Sequence, residues 1–403
     1  MLVTGPRGKQ IMNPDTKAAG DNRDVRESQN LNRRDFLATS AAFAFAGTFN
    51  PDLRSASDHS TASGAHHQTA ATPSKVQRVI IDTDPGVDDS IAIFLALRSP
   101  ELKVEAITPV CGNVPLELTL LNALRLVEIA RRTDIPVASG ASHPLTRRLV
   151  TAKYAHGNNG MAGVEFPPPT IQASRESADE IISRLVRESP GEITIVALGP
   201  LTNIATVLRA RPEIAAMIRG LAIMGGSLSG GNVSPSAEFN FYVDPEAARI
   251  VFDSHIPLTM VGLDVTRKVL LHEDHVKLLE AAKNPVSQAA ARMMRATIER
   301  MRDSHNPPAM AMHDPLTVAS LIDPTILTLR DYYVEIETSG ELTAGESVGY
   351  QRAPMHKSAP LETSEPEPPE SAQAFTPNAR VGVEVDSEKF FNLLIPRLTE
   401  AKS

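Results

Sequence analysis

The chain has 403 residues, of which 42% are hydrophobic and 22% are charged, which is ordinary for a globular protein with a substantial core. Its formal net charge of −8 offers no basic surface, so neither nucleic acid nor an anionic membrane is an expected partner. The chain lacks Trp, which excludes base stacking on indole, and its single cysteine, Cys111, excludes an internal disulfide or a cysteine-based zinc site.

The N-terminal part is predicted to lie outside the folded domain. Residues 1–49 carry the pair Arg33 and Arg34, then a short apolar run with an A-x-A sequence at 44–46, and this pattern resembles a twin-arginine export signal. We therefore expect an exported protein, periplasmic or secreted. No stable membrane anchor is expected after cleavage, because the run is too short to span a bilayer. The alternative is a chance arginine pair beside an Ala-rich helix. Residues 50–74 are predicted to be a disordered linker.

Residues 75–403 are predicted to form one α/β domain. Short runs of Val, Ile and Leu alternate with helical patterns, which favours an open, mostly parallel sheet flanked by helices, a Rossmann-like core with a more helical C-terminal part. The predicted strands are 77–82, 103–108, 192–197, 220–224, 257–261, 331–337 and 380–385. The predicted helices include 116–131, 178–186, 201–208, 269–282, 285–301 and 315–322. Residues 353–377, rich in Pro, Glu and Ser, are predicted to be a surface loop insertion, with a partner-binding segment as the alternative.

A run of acidic residues follows the first predicted strand. Residues 82–89 contain four carboxylates, and because like charges this close repel, a divalent cation such as Ca²⁺ or Mg²⁺ is the expected neutraliser. The Pro85-Gly86 turn places the carboxylates at the carboxyl end of a strand, where open α/β sheets bind ligands. The simpler interpretation is a solvated acidic turn in which Asp88 and Asp89 favour a helix N-terminus.

Further polar segments follow other predicted strands. The Leu198 carbonyl, at a Gly-Pro turn, is expected to have no helical or ladder partner and to be available to a metal. Asn232, Glu238 and Asn240 lie in a Gly-rich segment and suit the hydroxyl groups of a sugar, although a polar loop is the alternative. Asp314, after His313, is either a metal ligand or only a helix cap. Weaker signals, each compatible with a plain turn or surface loop, are GNV at 112–114 and HGNNG at 156–160.

In their order and spacing, these motifs resemble the inosine-uridine-preferring nucleoside N-ribohydrolases, calcium enzymes that cleave the N-glycosidic bond of ribonucleosides. The resemblance runs from about Gln77 to Phe390 and includes DTDPGVDD, LGPLTN, AEFN and MHDP. It implies a homo-oligomer, a dimer or tetramer. The metal ligands that it implies for Ca²⁺ are Asp84, Asp89, Asp314 and the Leu198 carbonyl. The substrate-binding residues that it implies are Asp88 and Asn240 for the ribose diol, Asn232 and Glu238 for the 5′-hydroxyl, Asn113 near the attacking water, and His156.

The expected reaction is hydrolysis to free base and ribose by a Ca²⁺-bound water, with Asp84 as general base. His313 is expected to protonate the base, since imidazole titrates near neutrality, and His156 is the weaker candidate. Two departures from the family pattern concern the base contacts: HGNNG lacks an acidic residue usual in relatives, and Arg267 stands where many have His. The missing Trp favours a non-specific or pyrimidine-leaning enzyme. The alternatives are a haloacid-dehalogenase-type phosphatase and an exported calcium-dependent nucleoside- or sugar-binding protein without turnover.

Overall fold

The computed structural model describes residues 76–302, 308–352 and 376–400. The expected export signal, the linker and residues 353–375 of the predicted insertion lie outside these ranges. None of the helices within them is long and apolar enough to cross a bilayer.

One eight-stranded sheet organises the described residues, in the order β2-β1-β3-β4-β5-β10-β8-β9. Its strands are β1 Gln77–Thr83, β2 Leu102–Pro109, β3 Ile193–Ala197, β4 Gly220–Met224, β5 Leu258–Val261, β8 Leu327–Ile336, β9 Ser347–Tyr350 and β10 Ala379–Val385. The pairings from β2 through β10 are parallel, and β8 and β9 add an antiparallel edge. A separate two-stranded ribbon joins β6 Leu270–Leu271 to β7 Met310–Ala311. The prediction of an open, mostly parallel sheet is confirmed.

Helices cover both faces of this sheet. They are α1 Val87–Arg98, α2 Leu116–Ile129, α3 Lys153–His156, α4 Ala178–Glu188, α5 Thr202–Ala210, α6 Phe239–Val243, α7 Pro245–Phe252, α8 Leu263–Thr266, α9 Glu273–Ala281, α10 Pro285–Met301, α11 His313–Ile322 and α12 Ser387–Thr399. Two 3₁₀ helices, Pro212–Met217 and Pro324–Ile326, complete the regular structure of the described residues.

Strand β1, which has a neighbour on each side, shows why the strand segments are continuous apolar runs in the sequence. Successive side chains of a strand point to opposite faces of the sheet. Val79 and Ile81 pack into a core with α1, α10, α11 and α12, whereas Ile80 packs into a second core with α4, α5 and α7. Both faces are therefore buried, and every position of the strand favours an apolar residue.

Several predicted boundaries are wrong. The segment predicted as a helix over 269–282 begins as β6, because Leu270 pairs with Ala311 forty-one positions later, and the helix starts only at Glu273. Helix α11 begins two residues before the predicted 315, and β8 begins four residues before the predicted 331. Strand β9 and helix α12 lie in segments for which no element was predicted. The boundaries of β6 and β8 are decided by pairing with distant residues, Ala311 and Val385, which no local pattern predicts.

Candidate active site

The acidic run lies at the carboxyl end of β1, in the turn that leads into α1. The Asp89 carboxylate closes this turn by accepting hydrogen bonds from the Thr83 hydroxyl (2.5 Å), the Asp84 amide (3.2 Å) and the Gly86 amide (3.0 Å). The interpretation of Asp89 as a residue that favours a helix start is therefore correct as far as it goes. With the bond from Asn113 Nδ2, four donors contact this carboxylate, so a metal bound at Asp89 would share oxygens that already accept hydrogen bonds.

Three carboxylates converge beside this turn. Asp88, Asp89 and Asp314 each offer one oxygen, and these oxygens lie within 4.8 Å of one another. All three side chains are buried, as is Asp84. Asp84 Oδ1 and Asp88 Oδ1 have no hydrogen-bond partner among the described residues. Buried polar atoms normally have partners, so unpaired carboxylate oxygens beside other carboxylates indicate a place for a cation.

The pKa values of these groups point the same way. Burial raises the pKa of Asp84 and that of Asp314 well above their ordinary values, and neighbouring carboxylates raise them further. Burial, followed by the charge of Asp89, raises the pKa of Asp88 to about 8. The cluster therefore needs a proton or a cation to neutralise it. The oxygen-only donor set suits a hard divalent ion and could hold one.

Asp82, the first of the four carboxylates, is separate from this cluster. Its Oδ2 accepts hydrogen bonds from the Thr108 hydroxyl (2.6 Å) and from Asn203 Nδ2 (2.8 Å). Asn203 also accepts a hydrogen bond from the Ala141 amide at 2.7 Å, so it joins the ends of β1 and β2 to the loop beyond them. Asp82 Oδ1 also lacks a partner among the described residues, but Oδ2 is held by neighbouring side chains, and Asp82 is not one of the three residues whose oxygens converge.

Two glycines leave the space that Asp84 occupies. A Cβ atom on Gly112 would lie 2.1 Å from Asp84 Oδ2, and one on Gly199 would lie 2.6 Å from Asp84 Oδ1. Neither distance is compatible with a side chain. The glycines of the GNV and LGPLTN motifs are thus explained by the close approach of their backbone to one carboxylate.

Asn113 holds two of the acidic side chains in place. Its backbone amide donates to Asp84 Oδ2 (2.6 Å), and its Nδ2 donates to the Asp84 carbonyl (3.1 Å) and to Asp89 Oδ2 (3.0 Å). The amide hydrogens of Asn113 are therefore committed to the acidic turn. Its carbonyl oxygen is the part of the side chain that remains available to a ligand.

The Leu198 carbonyl has a partner that the sequence did not predict. It accepts a hydrogen bond from Asn240 Nδ2 at 2.8 Å, and the same amide donates to the Met224 carbonyl at 3.1 Å. This side-chain contact does not contradict the expected lack of a helical or ladder partner, and it arises because α6 brings Asn240 across to the end of β3. A carbonyl oxygen has a second lone pair for a metal, and Asn240 Oδ1 remains free to accept from a hydroxyl group.

Glu238 and Asn232 stabilise the start of α6. Glu238 accepts hydrogen bonds from the amides of Asn240, Gly226 and Phe241, while burial raises its pKa to about 7. Asn232 Oδ1 accepts a hydrogen bond from the Phe239 amide at 2.9 Å, which leaves Asn232 Nδ2 as its donor for a ligand. Both residues therefore have a capping function in addition to any contact with a substrate.

Two histidines stand beside the acidic residues. His156 Nδ1 accepts a hydrogen bond from the Val87 amide at 3.1 Å, which places the ring hydrogen on Nε2, and His313 Nδ1 lies 2.8 Å from the Thr266 hydroxyl. Burial lowers the pKa of each ring to about 4. The expectation that His313 titrates near neutrality is wrong for this structure. Both rings are neutral at pH 7 and can offer an N–H group to a ligand.

One cavity of about 390 Å³ brings most of the predicted site together. Nine of the eleven predicted residues line it: Asp88, Asn113, His156, Leu198, Asn232, Glu238, Asn240, His313 and Asp314. The other two, Asp84 and Asp89, lie buried outside this lining. Four further residues line the cavity without having been predicted from the sequence: Tyr154, Phe239, Met310 and Thr297. Such side chains carry no chemical motif, so only their position identifies them.

Comparisons with known proteins give one consistent result. The family model described as "Inosine-uridine preferring nucleoside hydrolase" matches residues 79–392. The pyrimidine-specific ribonucleoside hydrolase RihA of Escherichia coli O1:K1 is 42% identical over 322 residues, which cover 79% of this chain and 97% of the relative. The protein of the same name from Salmonella gallinarum has the same identity and coverage.

Two solved structures of nucleoside hydrolases are similar to the structure of this chain. A plant nucleoside hydrolase, PpNRh1, is 33% identical with a TM-score of 0.72, and the match covers 81% of this chain and 100% of the plant chain. A purine-preferring ribonucleoside hydrolase from Gardnerella vaginalis is 32% identical with the same TM-score, covering 80% and 98% of the two chains.

Proposed function

The chain belongs to the inosine-uridine-preferring nucleoside hydrolase family and is a nucleoside N-ribohydrolase; on that premise we propose that it cleaves ribonucleosides with the help of Ca²⁺, using Asp84 as general base. One observation carries the proposal: buried carboxylates with unpaired oxygens meet beside a cavity that combines polar side chains such as Asn232 and Asn240 with apolar ones such as Phe239 and Met310. Because the chain belongs to this family, we no longer consider the alternative of a haloacid-dehalogenase-type phosphatase.

The residues that would hold the ion are Asp84, Asp89, Asp314 and the Leu198 carbonyl. The support is chemical: all four offer oxygen, which Ca²⁺ prefers, and the mutual repulsion of the carboxylates requires a positive charge. Asp88 lies close enough to Asp89 and Asp314 to share this charge. When bound, calcium would act as a Lewis acid that makes a water more acidic and takes up the ribose hydroxyl groups.

Asp84 would accept the proton of the attacking water. Its Oδ2 is held by the Asn113 amide, whereas its Oδ1 has no partner in the described part of the chain. A fixed carboxylate with one free oxygen suits a general base, a role that contributes about 10²–10⁴ in rate. The nearby carboxylates would also stabilise the positive charge that develops on the ribose ring.

Polar side chains around the cavity would hold the sugar. Asp88 Oδ1 and Asn240 Oδ1 can accept hydrogen bonds from the ribose diol, since neither atom has a described partner. Asn232 Nδ2 can donate to the 5′-hydroxyl, and Glu238 can accept from it with its remaining lone pairs. Grasping both ring hydroxyls would favour ribose over deoxyribose, because a deoxyribose leaves buried polar groups unpaired.

His313 would act on the departing base. Because its ring is neutral, we assign it a hydrogen bond from Nε2 that stabilises negative charge on the base, and His156 is the second candidate for this contact. We propose pyrimidine ribonucleosides as the preferred substrates. The support is the 42% identity to relatives described as pyrimidine-specific and the absence of Trp for purine stacking.

The test is release of ribose from uridine, cytidine and inosine by the purified full chain, measured as reducing sugar before and after treatment with a calcium-specific chelator. We expect turnover that the chelator abolishes and added Ca²⁺ restores, with uridine and cytidine ahead of inosine. Calcium-dependent nucleoside binding without ribose release would favour the binding-protein alternative. Turnover that survives the chelator would contradict the metal assignment.

A further inference from the structure

Thr266 is a buried residue at the end of α8, and its hydroxyl faces a histidine of the active site. Thr266 Oγ1 lies 2.8 Å from His313 Nδ1 and has no other hydrogen-bond partner among the described residues. A threonine in a helix commonly bonds its hydroxyl to the carbonyl one turn earlier, as Thr206 and Thr297 do in this chain. The Thr266 hydroxyl is instead directed away from its own helix.

We propose that Thr266 is a positioning residue, which orients the His313 ring so that Nε2 presents a hydrogen to the departing base. This inference rests on the proposed function, in which His313 contacts the base. The contact with Thr266 engages Nδ1, and His313 lines the cavity, so Nε2 is the nitrogen that remains for a substrate.

The chemistry of a hydroxyl explains why a threonine suits this place. A hydroxyl can donate one hydrogen bond and accept two. Beside a neutral ring it donates to Nδ1, which leaves the ring hydrogen on Nε2. Beside a charged ring it accepts from Nδ1–H, and Nε2 again carries a hydrogen. In both cases the nitrogen available to the substrate is a donor. A valine side chain can neither donate a hydrogen bond to Nδ1 nor accept one from it, so the ring hydrogen would then be free to move to Nδ1.

The surroundings of Thr266 make it a firm support. Asp264, in the same helix, accepts hydrogen bonds from the Leu228 amide (2.8 Å) and the Ser229 hydroxyl (2.6 Å). Arg267, at the helix end, donates to the Gly231 carbonyl. Helix α8 is therefore joined to the loop that precedes Asn232. A ring orientation set by such a supported partner is more precise than one set by a free side chain.

The kinetic test compares Thr266→Val, which keeps the shape of the side chain, with Thr266→Ser, which keeps the hydroxyl. For Thr266→Val we expect kcat on uridine to fall by about 10–100-fold, by analogy with the loss seen when the hydrogen-bond partner of a metal-ligating histidine is removed. KM should change little, and turnover of p-nitrophenyl riboside, whose leaving group needs no assistance, should be unaffected. Thr266→Ser should retain most of the uridine activity.

Two controls separate orientation from a general structural effect. Thr119 is a buried helical threonine whose hydroxyl donates to the Leu116 carbonyl, so Thr119→Val should match the wild type. In a His313→Ala background, Thr266→Val should cause no additional loss on uridine, because the group that it positions is gone. A Thr266→Ser variant as slow as Thr266→Val, or full additivity with His313→Ala, would overturn the proposal.

A second readout does not depend on activity. The ¹⁵N shifts of the His313 ring at pH 7, in calcium-free protein, report which nitrogen carries the hydrogen. Wild type and Thr266→Ser should show the hydrogen on Nε2, and Thr266→Val should show a mixture or the hydrogen on Nδ1. Unchanged shifts in Thr266→Val would overturn the inference. If His313→Ala leaves uridine turnover intact, the proposed role of His313 fails, while the ring shifts still decide the role of Thr266.

Discussion

At the scale of single residues, the proposed activity depends on carboxylates that the fold buries without full hydrogen bonding. An ionised carboxylate loses a large hydration free energy on burial, so a fold retains several of them together only with compensating charge. Asp84 and Asp88 each keep one oxygen without a described partner. We therefore expect the cost to stability at these positions to be compensated by the proposed cation and not by the folded chain alone.

Asp84→Ala or Asp89→Ala should abolish ribose release. Each variant removes a proposed calcium ligand, and Asp89→Ala also removes the acceptor that closes the turn into α1. Asp134, an exposed residue whose carboxylate pairs with Arg132, supplies the matched control, and Asp134→Ala should retain normal activity. If both active-site variants keep more than about a tenth of the wild-type rate in chelator-treated buffer, the metal assignment is wrong, because loss of a general base alone costs about 10²–10⁴.

His313→Ala should lower kcat for natural nucleosides by about 10²–10³, the loss observed when one donor to a developing negative charge is removed. It should scarcely affect p-nitrophenyl riboside, which has a good leaving group. Steady-state kinetics on uridine and on this riboside provide the comparison. Equal losses on the two substrates would show that His313 positions the sugar or the metal, and His156 would then be tested as the residue that contacts the base.

At the scale of elements, the site is assembled from loops that follow parallel strands. The loops after β1, β2 and β3 meet because neighbouring parallel strands end at one edge of the sheet. Their approach is so close that Gly112 and Gly199 both contact the space around the Asp84 carboxylate. The distance between the backbones of these loops therefore determines the position that the Asp84 carboxylate can occupy.

Gly112→Ala should weaken calcium binding by at least about tenfold, which corresponds to about 1.4 kcal/mol. The added Cβ would lie 2.1 Å from Asp84 Oδ2, so either the carboxylate or the loop that carries Asn113 must move. Isothermal titration calorimetry with Ca²⁺ measures the change. Gly382→Ala is the control, because its Cβ would meet only Val265 Cγ2 closer than 3.4 Å, at 3.2 Å, and should leave affinity unchanged. If Gly112→Ala binds Ca²⁺ as tightly as the wild type, the close approach of Gly112 to the Asp84 carboxylate does not control the metal site.

At the scale of the whole molecule, the acidic cluster should connect stability to pH and to calcium. Burial raises the folded pKa of Asp88 to about 8, from an ordinary value of 3.8, and raises that of Asp84 and Asp314 as well. A carboxyl group with a raised folded pKa favours folding at low pH, and this contribution is lost as pH rises from the unfolded to the folded pKa.

The calcium-free protein should therefore unfold at a lower temperature at pH 8 than at pH 6. Calcium should remove this difference, because it stabilises the ionised cluster by about 2.7 kcal/mol at a free concentration of 100 Kd. Differential scanning calorimetry with chelator and with excess Ca²⁺ at both pH values makes the comparison. A thermal midpoint that calcium leaves unchanged at pH 8 would show that these carboxylates do not form the metal site.

Export of the protein remains a prediction from the N-terminal sequence. Changing Arg33 and Arg34 to Lys should leave the precursor in the cytoplasm, since the twin-arginine route requires the arginine pair. Fractionation of cells expressing the tagged full chain, followed by immunoblotting, measures the distribution. Normal yield of the double-lysine variant outside the cytoplasm would refute this route. The expected dimer or tetramer likewise stays a prediction, which sedimentation of the purified protein can test.

The sequence by itself determined the fold class and the chemical character of the site. Apolar runs such as 79–81 identify strands buried on both faces, because alternate residues pack into the cores on opposite faces of the sheet. The acidic residues of 84–89 follow one strand directly, so their proximity to one another is a local property, whereas Asp314 joins them only through the fold. The family resemblance rests on the same local motifs, and the family match over 79–392 confirms it.

Only the tertiary structure decided which polar atoms remain free for a ligand. Asp82 belongs to the same run as Asp84, yet contacts with Thr108 and Asn203 separate it from the cluster. The Leu198 carbonyl gains its partner from a residue 42 positions away, and His313 gains Thr266 from 47 positions away. These hydrogen bonds depend on how the loops at the sheet edge approach one another, and that approach is set by the packing of whole helices against the strands, which no short stretch of sequence specifies.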